Sequence, residues 1–301
     1  MEISSKKENG TPILKVEGVR NFDVGKIFDC GQCFRFDSVD TTPHEKEFSG
    51  VAFGRRVSFA QDKDTLYIYG SDRADFENIW RRYLDIDRDY DALAEDIFAS
   101  CSSPVLREAA EMGKGIRILS QDPFETVISF IVSQNNNIPR IKKIIEAMSE
   151  NCGEDAITFD GWERHDSGKT SGKAFPTAKA LCELGVEGLF NLKTGFRAKY
   201  IYDGAAKIDS GELDLDAIAS LGTTAEAIDA LCAVKGIGPK VASCALLFGF
   251  GRYDAFPVDV WIKRAAEKYF PEYGKDFTPA IFGKYAGVAQ QYLFYYERYI
   301  Q

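Results

Sequence analysis

Apolar and polar positions alternate in short runs over the first seventy residues. The runs are Pro12–Val16, Cys33–Phe36, Phe48–Phe53, Val57–Ala60 and Thr65–Tyr69, separated by Gly, Asp, Pro and Lys-Asp turns. A period of two with that punctuation predicts antiparallel strands. From about Asp75 the period changes. Phe76, Ile79, Trp80 and Tyr83 fall at i, i+3, i+4 and i+7, one apolar stripe of a helix. Helical periodicity continues through Phe124–Ser133, Ile138–Met148, Tyr200–Ile208, Ala225–Ala233 and Val258–Tyr269. Segments 153–175 and Gly211–Asp216, rich in Gly, Asp, Ser and Lys, are predicted loops. No internal repeat of roughly 20–50 residues is present. The pattern predicts an α+β fold, with a small antiparallel sheet in a domain over 1–115 and a mostly helical domain over 116–301.

Composition agrees with a globular chain. Of 301 residues, 45% are hydrophobic and 28% charged, which suits one large core or two smaller ones. No apolar run approaches the roughly 18 residues of a membrane span, and the N-terminal MEISSKKENG has no signal-peptide character. A cytoplasmic monomer without membrane contact is expected. The seven cysteines are odd in number and scattered, so reduced thiols are expected. Cys30-x-x-Cys33 has no second pair at zinc spacing and no cysteine follows Cys244, so neither a metal, an iron–sulfur cluster nor another cofactor is expected.

The net charge of −9 at first opposes a nucleic-acid partner. The charge is uneven, however. Residues 1–115 carry 22 acidic and 16 basic side chains, whereas residues 240–301 carry 6 acidic and 8 basic. DNA would meet the C-terminal half, with modest long-range steering.

The most informative stretch is Ala225–Lys268. Two amphipathic helices are joined by Lys235-Gly236-Ile237-Gly238. Both glycines suit positive φ, and Pro239 suits the first turn of the following helix. So tight a hairpin leaves backbone N–H groups unpaired, able to hold a phosphate without reading sequence. Lys240 follows directly, at the positive end of a helix dipole, which favours the free amine a nucleophile needs. Asp259 follows Pro257-Val258 and reads as a helix cap. Taken singly, such a lysine is ordinarily solvated and such an aspartate ordinarily structural. His44 and His165, the only histidines, lie in polar loop-like sequence that does not build a His-based triad. Gly168-Lys169-Thr170 has Glu163 where a phosphate loop needs glycine.

Helix, Gly-Ile-Gly hairpin, helix, and an aspartate about twenty residues later resemble the helix-hairpin-helix DNA glycosylases with a Gly/Pro-rich loop and catalytic Asp. Members with lyase activity carry a lysine where Lys240 stands. Four further stretches resemble the 8-oxoguanine DNA glycosylase/AP lyase branch: DCGQCFRF (Asp29–Phe36), QDPFETVISFIVSQNNNIPRI, GFRAKYI and YAGVAQQYLF. The likeness runs from about residue 12 to residue 298. It implies a bifunctional repair enzyme acting on double-stranded DNA containing an oxidised purine. Lys240 would form a Schiff base with C1′ and Asp259 would stabilise the developing positive charge, with β-elimination following.

Carried over residue by residue, the resemblance implies that the Gly31 carbonyl accepts N7–H of the lesion. Gln290 would bond the Watson–Crick edge of the flipped base, while Phe294 and Cys244 would sandwich its ring. Asn135, Arg140 and Arg197 would address the unpaired cytosine, and Phe196 would wedge into the stack. Each has a plainer reading: Phe294 as core, Cys244 as a buried small hydrophobe, Asn135 as a helix end, and Gly31 as a turn glycine. Two departures stand out. Trp261 occupies a position that is commonly a phosphate-contacting His, and the wedge is Phe196 rather than Tyr. Rival readings are a glycosylase for alkylated purines, which would not need Lys240, and a non-catalytic DNA-binding hairpin.

Overall fold

The computed structural model describes residues 1–274 and 277–300. Six antiparallel strands form one sheet: β1 (Glu2–Glu8), β2 (Thr11–Glu17), β3 (Phe36–Ser38), β4 (Lys46–Ala52), β5 (Arg55–Asp62) and β6 (Thr65–Tyr69), in the order β1-β2-β6-β5-β4-β3. The predicted strand at Cys33–Phe36 is corrected. Only Phe36 joins the ladder, because Cys33 and Phe34 turn into the interior instead. β1 was absent from the alternation pattern. It is a charged edge strand, nearly all exposed, so no buried face marks it.

Helix α1 (Val24–Asp29) starts at Asp23, whose carboxylate accepts the Lys26 N–H at 3.0 Å. Its Phe28 ring lies 4.4 Å from Phe36 and 5.4 Å from Phe59, which seals the sheet's inner face. Of the Phe76–Tyr83 stripe, Phe76, Trp80 and Tyr83 are buried and Ile79 is half-buried, on a π-turn at Phe76–Trp80 flanked by short α-turns.

The helical body comprises α2 (Tyr90–Ser100), α3 (Pro104–Met112), α4 (Pro123–Ser133), α5 (Ile138–Cys152), α6 (Ala178–Leu189), α7 (Ala198–Asp209), α8 (Thr224–Cys232), α9 (Pro239–Gly249), α10 (Val260–Tyr269) and α11 (Ala286–Tyr299). Helix α9 is the centre of this body and buries every residue from Val241 to Gly249. It crosses α4 so closely that a Cβ on Gly249 would sit 3.0 Å from Thr126. Such an all-round apolar helix is stable only when packed on all sides, here by α4 and α8 among others.

Sheet and helices form separate apolar clusters. Buried Arg117 stitches them together by donating to the carbonyls of Arg20, Asn21, Asp85 and Arg88. The loop-predicted segment 153–175 folds back over the sheet. The Arg56 backbone N–H donates to the Ile157 carbonyl at 2.8 Å, and His165 Nδ1 meets Glu47 Oε1 at 2.6 Å. His44 pairs with Asp62 and the Tyr69 hydroxyl on the same sheet. Both histidines therefore hold structure away from the cavity described next. Among the described residues no helix is long and apolar enough to cross a membrane.

Candidate active site

All six residues singled out for catalysis and base contact converge on one cavity of about 420 Å³. Gly31 comes from the loop after α1, Lys240 and Cys244 from α9, Asp259 from the start of α10, and Gln290 and Phe294 from α11. Four separate elements must pack correctly before this set exists.

The Gly31 loop is held in an unusual way. Its φ of +78° suits glycine, and an added Cβ would lie 3.5 Å from the Phe294 ring. On either side, carbonyls are claimed by side-chain amides. Gln291 Nε2 donates to the Cys30 carbonyl and Gln121 Nε2 to the Gln32 carbonyl, both at 2.7 Å. The Gln32 side chain in turn donates to Ile27 and Arg117 carbonyls and accepts the Leu119 N–H. The Gly31 carbonyl itself accepts nothing among the described residues. Gln290 matches it: its side chain is buried and Oε1 has no partner. A buried unpaired acceptor such as Gln290 Oε1 costs roughly 1–3 kcal/mol, and with the free Gly31 carbonyl in the same cavity it marks a place suited to a polar ligand.

Asp259 caps α10 by accepting the Ile262 N–H at 2.9 Å. Burial raises its carboxyl above the ordinary aspartate range, opposed by backbone N–H donors and by the nearby Lys240. Cap and catalytic candidate are therefore one residue. The Lys240 Nζ lies 5.8 Å from the centre of the Phe130 ring. Burial pushes the Cys244 thiol up to about 11, against the pull of Lys240, so it is a neutral wall and not a second nucleophile.

The remaining predicted residues lie outside this cavity. Asn135 is exposed, with a φ of +46° that asparagine tolerates. Asn137 caps α5 by accepting the Arg140 N–H at 3.0 Å, leaving the Arg140 side chain exposed. Arg197 is different. It is buried, and its guanidinium donates to the carbonyls of Gln134, Asn135 (2.9 Å) and Thr194 (3.2 Å). Here its donors hold the Asn135 turn.

Phe196 is 52% exposed, its ring 6.0 Å from Tyr200. Tyr200 also fills the space beside Gly236 (φ +86°), where a Cβ would be only 2.3 Å from that ring. Gly238 corrects the expectation of positive φ at both hairpin glycines. It is the N-cap of α9 at φ −106°, with open space where a side chain would go. The Lys235 N–H is taken by Asp203 at 2.7 Å, whereas those of Gly236, Gly238 and Lys240 have no partner among the described residues. Ile237 is buried and anchors the hairpin from within.

Gln291, not anticipated from the sequence, lines the same cavity and holds the Gly31 loop through the Cys30 carbonyl. Nothing distinguishes it from Gln290 in the sequence except a helical step that turns it toward Cys30.

Residues 15–127 match the N-terminal domain of 8-oxoguanine DNA glycosylase, and residues 128–278 match the HhH-GPD superfamily of base excision DNA repair proteins. MBOgg1, solved with a low-affinity DNA ligand, is 40% identical with a TM-score of 0.86, covering 100% of this chain and 99% of that one. The Clostridium acetobutylicum 8-oxoguanine glycosylase/lyase, solved with double-stranded DNA containing cytosine opposite 8-oxoguanine, is 36% identical with a TM-score of 0.84, covering 99% and 98%. The N-glycosylase/DNA lyase OGG1 of Arabidopsis thaliana is 34% identical over 212 residues, 65% of this chain and 55% of the plant protein. This match spans about half the length of that relative. The chain belongs to the 8-oxoguanine DNA glycosylase branch of the HhH-GPD superfamily of base excision DNA repair proteins.

Proposed function

We propose that this protein flips 8-oxoguanine out of duplex DNA into the cavity, excises it, and nicks the abasic strand. The observation that carries the reading is the convergence of two unpaired acceptors, Gly31 O and Gln290 Oε1, on a cavity that also holds Lys240 and Asp259. 8-Oxoguanine bears a proton at N7 where guanine bears a lone pair. The Gly31 carbonyl thus attracts one base and repels the other, a discrimination of roughly 1–3 kcal/mol. Gln290 addresses the Watson–Crick edge, and Cys244 and Phe294 close on the two ring faces.

The Lys240 amine attacks C1′ as the C1′–N9 bond breaks, and the electron pair of that bond leaves with the base, which is released protonated. The Asp259 carboxylate stabilises the oxocarbenium character that develops at C1′. The amine adduct loses a proton and the sugar ring opens to a Schiff base. Loss of a C2′ proton then expels the 3′ phosphate by β-elimination. The hairpin N–H groups at Gly236, Gly238 and Lys240 hold backbone phosphate, and Phe196 fills the gap in the stack. Arg140 meets the cytosine left behind, on a turn that Arg197 supports. Every group needed comes from one chain, so the protein acts as a monomer.

Single-turnover assays on duplexes carrying 8-oxoguanine, guanine or an alkylated purine test the reading. Excision of 8-oxoguanine with a borohydride-trapped protein–DNA adduct is the expected result. Excision of the alkylated purine without an adduct would instead favour the alkylpurine reading.

A further inference from the structure

Helix α11 serves two sides of the site. Gln290, Phe294 and Arg298 follow one another at four-residue steps and all line the base cavity. A neighbouring stripe of Gln291, Tyr295, Arg298 and Tyr299 meets the end of α1, from which the Gly31 loop departs. Gln291 Nε2 donates to the Cys30 carbonyl at 2.7 Å, and Arg298 Nη1 donates to the Asp29 carbonyl at 2.6 Å. The Tyr299 hydroxyl donates to the Asp29 carboxylate, whose other oxygen lies 3.5 Å from Arg298 Nη2. The Lys26 ammonium of α1 stands over the Tyr295 ring, 6.0 Å from its centre.

These contacts take the place of a helix cap. The last carbonyls of the six-residue α1 lie beyond the reach of any intrahelical N–H. Those of Asp29 and Cys30 accept no backbone N–H among the described residues, only the side chains of α11. A guanidinium also suits the negative end of a helix. The Gly31 loop therefore leaves α1 from a terminus whose position is set by α11. Gly31 has no side chain, so the aim of its carbonyl depends on the backbone on either side of it. An added Cβ there would lie 3.5 Å from the Phe294 ring, so a shift of the loop changes the width of the cavity.

We infer that Arg298 and Tyr299 are positioning residues for recognition of the lesion. They hold the end of α1 against α11 and so fix the Gly31 carbonyl relative to the base that Gln290 and Phe294 seat. The inference rests on the glycosylase reading above. Lys240 stands on α9, outside this clamp, so the clamp governs recognition of the base and not attack of the amine on the sugar. Tyr299 does not line the cavity, so its hydroxyl acts on the base only through Asp29.

The test uses the full chain with Arg298→Met, Arg298→Lys and Tyr299→Phe. Two duplexes are compared under single-turnover conditions, one with 8-oxoguanine opposite cytosine and one with an abasic site, where no base has to be recognised. Excision of 8-oxoguanine is expected to slow about tenfold in Arg298→Met and about threefold in Tyr299→Phe, while borohydride trapping on the abasic duplex keeps the wild-type rate. Arg298→Lys keeps a charged donor and should recover most of the loss. In a Lys240→Gln background, the preference for the lesion duplex over the undamaged one, measured by anisotropy, should fall in the same order. Tyr299 is exposed, so its variant is informative even where Arg298→Met fails to fold. Unchanged excision in the folded variants would overturn the inference. So would equal losses on the two duplexes, which would make the clamp a general support of the fold, or an Arg298→Lys as slow as Arg298→Met. A wild type that is trapped on neither duplex would overturn the glycosylase reading, and the clamp's role with it.

Discussion

The base cavity and the rim beside it use polar groups in opposite ways. In the cavity, the Gly31 carbonyl and Gln290 Oε1 are left without partners, and Asp259 is half-buried with its carboxyl pushed above the ordinary range. On the rim, buried Arg197 spends its donors on the protein's own carbonyls while Arg140 stays in solvent. The buried Gln290 acceptor carries an energetic cost that, on the proposed reading, a correctly shaped lesion relieves. The rim's polar groups are already satisfied, and on the proposed reading Arg140 meets the opposite strand from the turn that Arg197 holds. Discrimination of the lesion and discrimination of its partner base are expected to respond to different kinds of mutation.

The largest effect should follow Asp259→Asn, which removes the charge and keeps a capping side chain. Excision should slow by on the order of a thousandfold in single-turnover assays. Stability should move the other way. A carboxyl whose folded pKa is raised favours its protonated form, so its ionisation near neutral pH costs the wild type stability that asparagine does not forfeit. The variant's melting temperature at pH 7 should equal or exceed wild type, and the difference should vanish as pH falls below the ordinary aspartate value of 3.8. A variant that excises normally, or one that melts much lower at pH 7, would remove the cavity side of the comparison.

The two arginines give the next contrast. Arg197→Ala should destabilise the fold by about 3 kcal/mol in denaturant unfolding, because buried carbonyls lose charged donors. Arg140→Ala should leave stability within about 0.5 kcal/mol of wild type. It should flatten the preference for cytosine when excision is compared opposite all four bases. A stable Arg197→Ala that loses only base preference would mean that both arginines read the opposite base directly.

The hairpin glycines should show the smallest effects on chemistry. Gly238→Val meets open space at an ordinary φ, so the protein should fold normally and bind damaged and undamaged duplexes several-fold more weakly alike, as measured by anisotropy. Gly236→Val should already fail at the level of stability, because of its φ of +86° and the Tyr200 ring.

Much of this architecture could be read along the chain. β6 and the helices at Phe124–Ser133 and Ile138–Met148 show strong periodicity, and the hairpin, lysine and aspartate keep a fixed order and spacing. What escaped has physical reasons. β1 has no buried face to impose alternation, and α1 is too short to display a period. The fold-back of residues 153–175 depends on long-range pairs such as His165 with Glu47, which no local pattern encodes. Gly238 differs from Gly236 only because the former starts a helix while the latter makes room for Tyr200. Whether an arginine such as Arg197 faces DNA or its own backbone depends on where α4 ends in space, not on the residues beside it.

On the proposed mechanism the Lys240 amine makes the bond to C1′. Wild-type protein is reacted with an 8-oxoguanine:cytosine duplex in borohydride, digested, and the cross-linked peptide is sequenced by mass spectrometry, with Lys240→Gln in parallel. A single adduct on Lys240 is expected, and for the variant no adduct and no excision despite retained binding of the lesion duplex. An adduct on another amine, or excision by Lys240→Gln near the wild-type rate, would contradict it.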